Sequence, residues 1–586
     1  MRKQYWLPAA VCLMVVGGCS SGGGGSGVSS TPTPTPAPAP TNTSFSDLRV
    51  NQSFTANNTT ANVSFDLTPK TTISGTAGAA ALTISYDAAS RSYTVATVGR
   101  SQVFTPGDVS TTDANQTTYR KTDGTNRDYL TLVKVPYTGT TANQYVQLGY
   151  WQRNVVTGTR QDTQFDTFTF GFDTPATGVP HSGSVSFNVD AFGLVTTPGI
   201  EPVAFQGQGG FDADFLTGVF STHTWLTETG LLTGNGESGG GIDLTGAGHL
   251  SSSDGSFSGN MLYEGFNASI GGTMSGRFYG PAAQELGASF GGAAADGSSF
   301  NGAFTGQRDT SAAALNQTLT NLVAPQLFYT SSQDLYVIPN GASGTVQVRT
   351  TPMISQLNRQ VNGDFTYGPG TSDLPNGTFT AASQVASADP NFIAYDQTIN
   401  GQDVRLSLYK PGSGNTELAL TYASFGRWSS SMPYGVGTET DKVYFTYGLT
   451  TPARLLSGRT GSAHYAGVVY GGAENATTQA TYDVTGTSHF DVDFSHQNYT
   501  GGLALHGAPT NGATAVDFGN YDFTGSVGYL ANSDGIVTRG GSPVGDLTTA
   551  FYGPNGEEIG GPFTVRVPVG APGAGTTIAG VTVAKR

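Results

Sequence analysis

Phe551-Tyr552-Gly553-Pro554-Asn555-Gly556-Glu557-Glu558-Ile559-Gly560-Gly561-Pro562-Phe563 decides the fold, because the chain writes it twice. The earlier copy is Phe278-Tyr279-Gly280-Pro281, followed by Glu285-Leu286-Gly287 and Phe290, at an offset of 273. Working outward, Phe211-Asp212-Ala213-Asp214-Phe215 returns as Phe490-Asp491-Val492-Asp493-Phe494 at an offset of 279. Tyr145 to Trp151 pairs with Tyr422 to Trp428, offset 277, and Phe300 to Arg308 pairs with Ile578 to Arg586, offset 278. Two further pairings lie at shorter offsets. Phe257-Ser258-Gly259 with Tyr263 matches Phe523-Thr524-Gly525 with Tyr529 at 266, and Asn51 to Thr55 matches Asn316 to Thr320 at 265. An ordered series of this kind reads as an internal duplication. It predicts two lobes, about 45–308 and 309–586.

Each lobe divides at its Trp motif. Ahead of it, strands are rich in Thr, Tyr and Leu; after it, they are short and interrupted by glycine. Val185-Phe187-Val189, Leu406-Leu408, Phe490-Val492-Phe494 and Phe563-Val565-Val567 alternate apolar with polar residues, the period of a strand. With 83 Gly and 58 Tyr plus Phe, the composition reads as antiparallel β with glycine at turns and bulges. Many short amphipathic strands would leave an exposed edge unless the sheet closes on itself. The expected fold is therefore all-β: two tandem lobes, each an open β handle domain followed by a small closed antiparallel barrel. The expected boundaries are 45–175 and 176–308 for the first handle and barrel, 309–458 and 459–586 for the second. One helix is expected between Ser311 and Pro325, where Leu315, Leu319 and Leu322 fall at helical spacing.

The N-terminus predicts an anchor. Arg2 and Lys3 precede an apolar run from Trp6 to Val16, too short to span a bilayer. Val16-Gly17-Gly18-Cys19 then resembles a lipoprotein processing box, so 1–18 reads as a signal peptide and Cys19 as the lipid attachment site. The alternative is an ordinary secretory signal with an incidental cysteine. Ser20 rather than Asp follows the cysteine, which the resemblance to lipoprotein signals implies is an outer-membrane sorting signal. Residues 19–44 read as a tether: Gly and Ser from Ser20 to Val28, then alternating proline from Thr31 to Pro40, a soft coil followed by a stiffer spacer.

Composition bounds the function. Cys12 and Cys19 are the only cysteines, so the mature chain has no disulfide, and Cys-rich zinc or iron–sulfur sites are excluded. The formal charge of -15 becomes about -17 once the leader is removed, with 24 basic against 41 acidic residues. Such a surface repels nucleic acid. Gly234 to Gly239 matches a dinucleotide fingerprint, and Gly236-Glu237-Ser238-Gly239-Gly240 matches a nucleophile elbow. Both motifs require a following helix that this β pattern does not offer, so no catalytic residue and no cofactor is assigned. His489, Asp491 and Asp493 share one strand face and are the metal candidates; the plainer reading is a solvated outer barrel face.

Gly276 to Pro281 with Glu285-Leu286-Gly287, and more closely Phe551 to Phe563, resemble the barrel signature of transferrin-binding protein B and related surface lipoproteins. The resemblance implies a handle plus an about eight-stranded, side-chain-filled barrel in each lobe. It implies a non-enzymatic, surface-exposed outer-membrane protein, monomeric, that captures an extracellular protein or an iron- or haem-bearing ligand for a partner outer-membrane transporter. A structural surface protein or adhesin with two rigid lobes is the alternative. Phe278, Tyr279, Gly280, Pro281, Glu285 and their copies Phe551, Tyr552, Gly553, Pro554, Glu558 are expected to be structural, with Tyr-Gly-Pro as a turn and Glu285 capping local backbone groups.

Overall fold

Alternation along the chain becomes four antiparallel sheets in the computed structural model, which describes residues 41–237, 241–340, 345–369, 374–435, 437–528 and 533–586. The leader, Cys19, the tether to Pro40, Ser238 to Gly240 and Tyr529 lie outside the described residues.

The first sheet has ten strands between Gln52–Asp66 and Arg160–Gly171, and these two form its central pair, with Ala56 opposite Phe170 and Asp66 opposite Arg160. The third sheet has nine strands between Gln326–Pro339 and Gly437–Gly448, again centred on its first and last strands. These are the two open handles. Each packs a fully buried tryptophan, Trp151 or Trp428, into its core. In the first handle the Arg100 guanidinium lies 3.4 Å from the Trp151 ring and pairs with buried Asp166.

The second and fourth sheets are closed. Eight barrel strands run from Ser184–Thr196 to Ser299–Asp309, with the two-residue strand Gly236–Glu237 paired outside the ring, and the last pairs with the first through Gly193 opposite Gly302. Eight more run from Ser462–Asn475 to Thr576–Lys585, closing through Gly471 opposite Gly580. Their interiors are packed with side chains; Phe211 stacks on Phe220 at 4.7 Å in the first, and Phe490 lies 4.8 Å from Phe523 in the second. Closure satisfies every edge, and inward rings supply the burial that the missing disulfides do not.

Three sequence expectations change. Residues 311–325 contain no helix; the only α-helix among the described residues is Ala453–Ser457. The Asn316 side chain explains this, because its Oδ1 accepts from the Val323 and Ala324 amides and bends the chain into a loop. Leu319 enters the handle core while Leu315 stays exposed, so their spacing is not that of one helical face. Second, the counterpart of Asn316 is Asn42, which binds the Arg49 and Val50 amides in the same way. The pairing of Asn51 with Asn316 was therefore out of register. Third, Phe257 lies on the fifth strand of its barrel and Phe523 on the fourth of the other, so that pairing also fails. An aromatic, a small polar residue and a glycine suit many barrel strands, and such a triplet carries little register information.

Candidate ligand-binding site between the lobes

The repeated motif is a latch between barrel and handle. Glu285 does not cap local groups; its carboxylate accepts from the Gln144, Tyr145 and Val146 amides at 2.7, 2.7 and 2.9 Å. Glu558 repeats this with Thr421, Tyr422 and Ala423 at 2.6, 2.9 and 2.7 Å. Burial pushes both carboxyl groups up, while the three amides pull them down. Beside them, Tyr279 bridges to Asp173 and Tyr552 to Thr450. Gly280 and Gly553 turn the chain at φ of +82° and +86°, and a Cβ on either would lie 2.6 Å from the ring of Tyr145 or Tyr422. Glycine is required there by conformation and by space. The last residue of each repeat closes the set, with the Arg308 amide donating to Gln284 O and the Arg586 amide to Glu557 O.

Where the motif copies differ, the second one holds the lobes together. Ala282 and Gln284 of the first copy are replaced by Asn555 and Glu557. Asn260 of the first barrel donates to Asn555 Oδ1 at 2.6 Å, and His249 Nε2 lies 3.1 Å from Glu557. That carboxylate raises the His249 pKa, chiefly through the hydrogen bond. Helix Ala453–Ser457 adds apolar contact, Leu455 against Ala247 and Leu262, and Arg454 reaches Asp243 and Glu264 at 2.7 and 2.5 Å. Gln317 and Asn321 bind Ser221 and Asp214.

Beside this joint lies a cleft of about 610 Å³, walled by Val219 and Ser221 of the first barrel, by the second handle, and by the Tyr552-Gly553-Pro554 turn. The handle wall is apolar and open to solvent: Tyr329 and Ile354 are each 69% exposed, and Leu315 and Leu327 are exposed beside them. From the cleft, strand Val219–Gly230 leads outward to Trp225, 63% exposed and set edge-on to His223 at 4.6 Å. His223 in turn meets Asp243 at 3.1 Å, the residue that Arg454 of the other lobe grips. Large aromatic surface of this kind, rimmed by charge, is the usual anatomy of a binding surface. The site combines both lobes, so it exists only when they are docked.

The earlier site candidates lie elsewhere. His489, Asp491 and Asp493 project from the outer face of the second barrel, opposite buried Phe490 and Val492. Asp491 is paired with His464 and Asp493 with His496, each at 2.7 Å. Among the described residues no cluster of three or more such ligands forms a metal site. Sequence reading missed Tyr329, Ile354, Trp225 and Arg454. A signal existed for two of them: Leu327-Phe328-Tyr329 is apolar on both faces of a strand, and Trp225 faces outward while Thr222 and Thr224 face in.

Residues 458–586, the second barrel, match the family described as the C-lobe and N-lobe beta barrels of Tf-binding protein B. That barrel is transferrin-binding protein B-like. No curated protein matches the chain. Among solved structures it is similar to isotype 1 transferrin binding protein B from serogroup B Neisseria meningitidis, with 16% identity, 77% of this chain, 87% of that chain and a TM-score of 0.25. A double mutant of transferrin binding protein B from Haemophilus parasuis Hp5 gives 16% identity, 78% and 85% coverage and a TM-score of 0.25. At that level whole-chain superposition adds nothing to the barrel match. The first barrel shares the closure and the glutamate latch of this transferrin-binding protein B-like barrel through the internal repeat.

Proposed function

We propose that this protein is a surface-exposed outer-membrane lipoprotein, anchored through Cys19, that captures a protein or an iron- or haem-bearing ligand and delivers it to a partner transporter in the same membrane. The observation that carries this reading is the exposed apolar wall of the cleft between the lobes, on a transferrin-binding protein B-like scaffold. Tyr329, Ile354 and Leu327 offer a desolvation surface that a partner could bury, and Trp225 offers a second anchor. The acidic, Lys-poor chain would be steered toward a ligand with a basic face. The role is binding, with no catalysis. Ligand classes are tested by immobilising the mature chain and passing haem proteins and iron carriers over it in turn. Tyr329→Ser with Ile354→Ser should weaken the retained ligand by roughly tenfold or more. Retention of no iron carrier or haem protein by a correctly folded chain would overturn the capture reading. Protease shaving of intact cells, with the lobes left uncut, would overturn surface exposure.

A further inference from the structure

The back face of the second handle, opposite Trp428, meets the second barrel across a seam that is not filled. A cavity of about 480 Å³ remains there, large enough for a small molecule. Its apolar floor is aromatic: Phe392 and Phe425 lie 5.2 and 5.3 Å from Tyr470 of the barrel. Its polar wall carries the carboxylates of Asp389 and Asp483, which meet the Tyr470 hydroxyl and Arg427, and two arginines. Register sets them together, since Arg405 is opposite Ser429 and Ser407 opposite Arg427, which makes Arg405 and Arg427 diagonal neighbours on one sheet face. Ser407 sits between them and lines the same cavity.

The duplication supplies an internal comparison. Tyr145 to Trp151 corresponds to Tyr422 to Trp428, so Arg427 stands where the first lobe has Tyr150. Tyr470 corresponds to Phe192, each preceding the glycine that closes its barrel. In the first lobe these positions form a plug: Tyr150 stacks on Phe192 at 4.9 Å, Tyr137 lies against Phe192 at 5.4 Å, and the Tyr137 hydroxyl donates to Gln116 at 2.6 Å. In the second lobe the ring of that plug has become a guanidinium. Arg427 contacts Asp483 at 3.3 Å and the Tyr444 hydroxyl, and Arg405 contacts Asp396 at 3.3 Å. A guanidinium has five donors in a fixed fork, so each retains donors beyond these bonds.

We infer that this seam is a binding site for a small aromatic carboxylate, its ring on Phe392, Phe425 and Tyr470 and its carboxylate between Arg405 and Arg427. The two arginines give the planar, paired donors that a carboxylate fits. The aromatic floor selects a flat ligand over an aliphatic one. The site is separate from the cleft between the lobes and does not depend on the capture role proposed above.

The probe is 2-naphthoate, titrated calorimetrically into the full mature chain, with 2-naphthamide as the uncharged control. One naphthoate per chain should bind, and naphthamide should bind roughly tenfold more weakly or worse. Arg427→Tyr installs the residue that the first lobe carries, so the fold is retained; Trp428 fluorescence and circular dichroism verify it. Binding should fall by roughly tenfold or more in that variant. No naphthoate binding, equal binding of the amide, or undiminished binding by folded Arg427→Tyr would each overturn the assignment.

Discussion

Replacing Glu558 by Ala should undock the second barrel from its handle. The carboxylate accepts three amides at 2.6, 2.9 and 2.7 Å, and the residue is fully buried. Removing it leaves the Thr421, Tyr422 and Ala423 donors without that acceptor, inside the junction. Each unmet buried donor costs about 1–3 kcal/mol, so three together should cost about 3–6 kcal/mol after partial rehydration. Glu558→Gln keeps one acceptor oxygen and should cost less than half of that, because burying an amide avoids burying a charge. The readout is built in. Apart from Trp6 the tryptophans are Trp151, Trp225 and Trp428, and Trp428 is fully buried in the second handle. With Trp151 and Trp225 changed to Phe, guanidinium unfolding followed by Trp428 emission reports that lobe alone. A shift below about 0.5 kcal/mol for Glu558→Ala would refute the latch, since surface substitutions fall in that range. Glu285→Ala, followed by Trp151, should repeat the result in the first lobe.

Other outcomes follow from the same geometry. Burial and neighbouring Asp441 hold Asp334 at about 8, and burial holds Asp441 at about 7. Unfolded aspartate titrates near 3.9, so the folded lobe carries extra protons between about 4 and 8, and its stability falls as pH rises through that window. Asp334→Asn should therefore stabilise the second handle at pH 9 by about 2–5 kcal/mol and change little at pH 4, in urea melts at both pH values. His249 should titrate above 6.5 by proton NMR, with its ion pair to Glu557 complete in acid and lost as pH rises through the raised value; Glu557→Gln should bring it back down. Gly553→Ala should cost about 2–4 kcal/mol, because a positive φ and the Tyr422 ring both oppose a Cβ, whereas Gly570→Ala, with the same φ and open space, should cost about 1–2 kcal/mol.

The all-β class and the handle-then-barrel order were legible because a strand's period is local and a duplication repeats it. Four of the six pairings, at offsets of 273 to 279, align equivalent strands. The two at 265 and 266 do not, because Asn-Gln and Phe-Ser-Gly fit more than one strand or loop. The leucine spacing after Ser311 suggested a helix that the Asn316 side chain forbids by binding the backbone itself. Periodicity sees which residues are apolar; it does not see a competing hydrogen bond.

By itself the sequence determined the two copies, the strand alternation and the residues of the Phe-Tyr-Gly-Pro latch, all of which are set by neighbours along the chain. Only the tertiary structure decided what Glu558 holds, that Asn555 and Glu557 join the lobes, that Tyr329 and Trp225 stay exposed, and that Arg427 opens a seam which Tyr150 fills. Each of those depends on a partner far away in the sequence. Glu558 reaches Thr421 across 137 residues and His249 reaches Glu557 across 308, distances over which composition and period carry no signal.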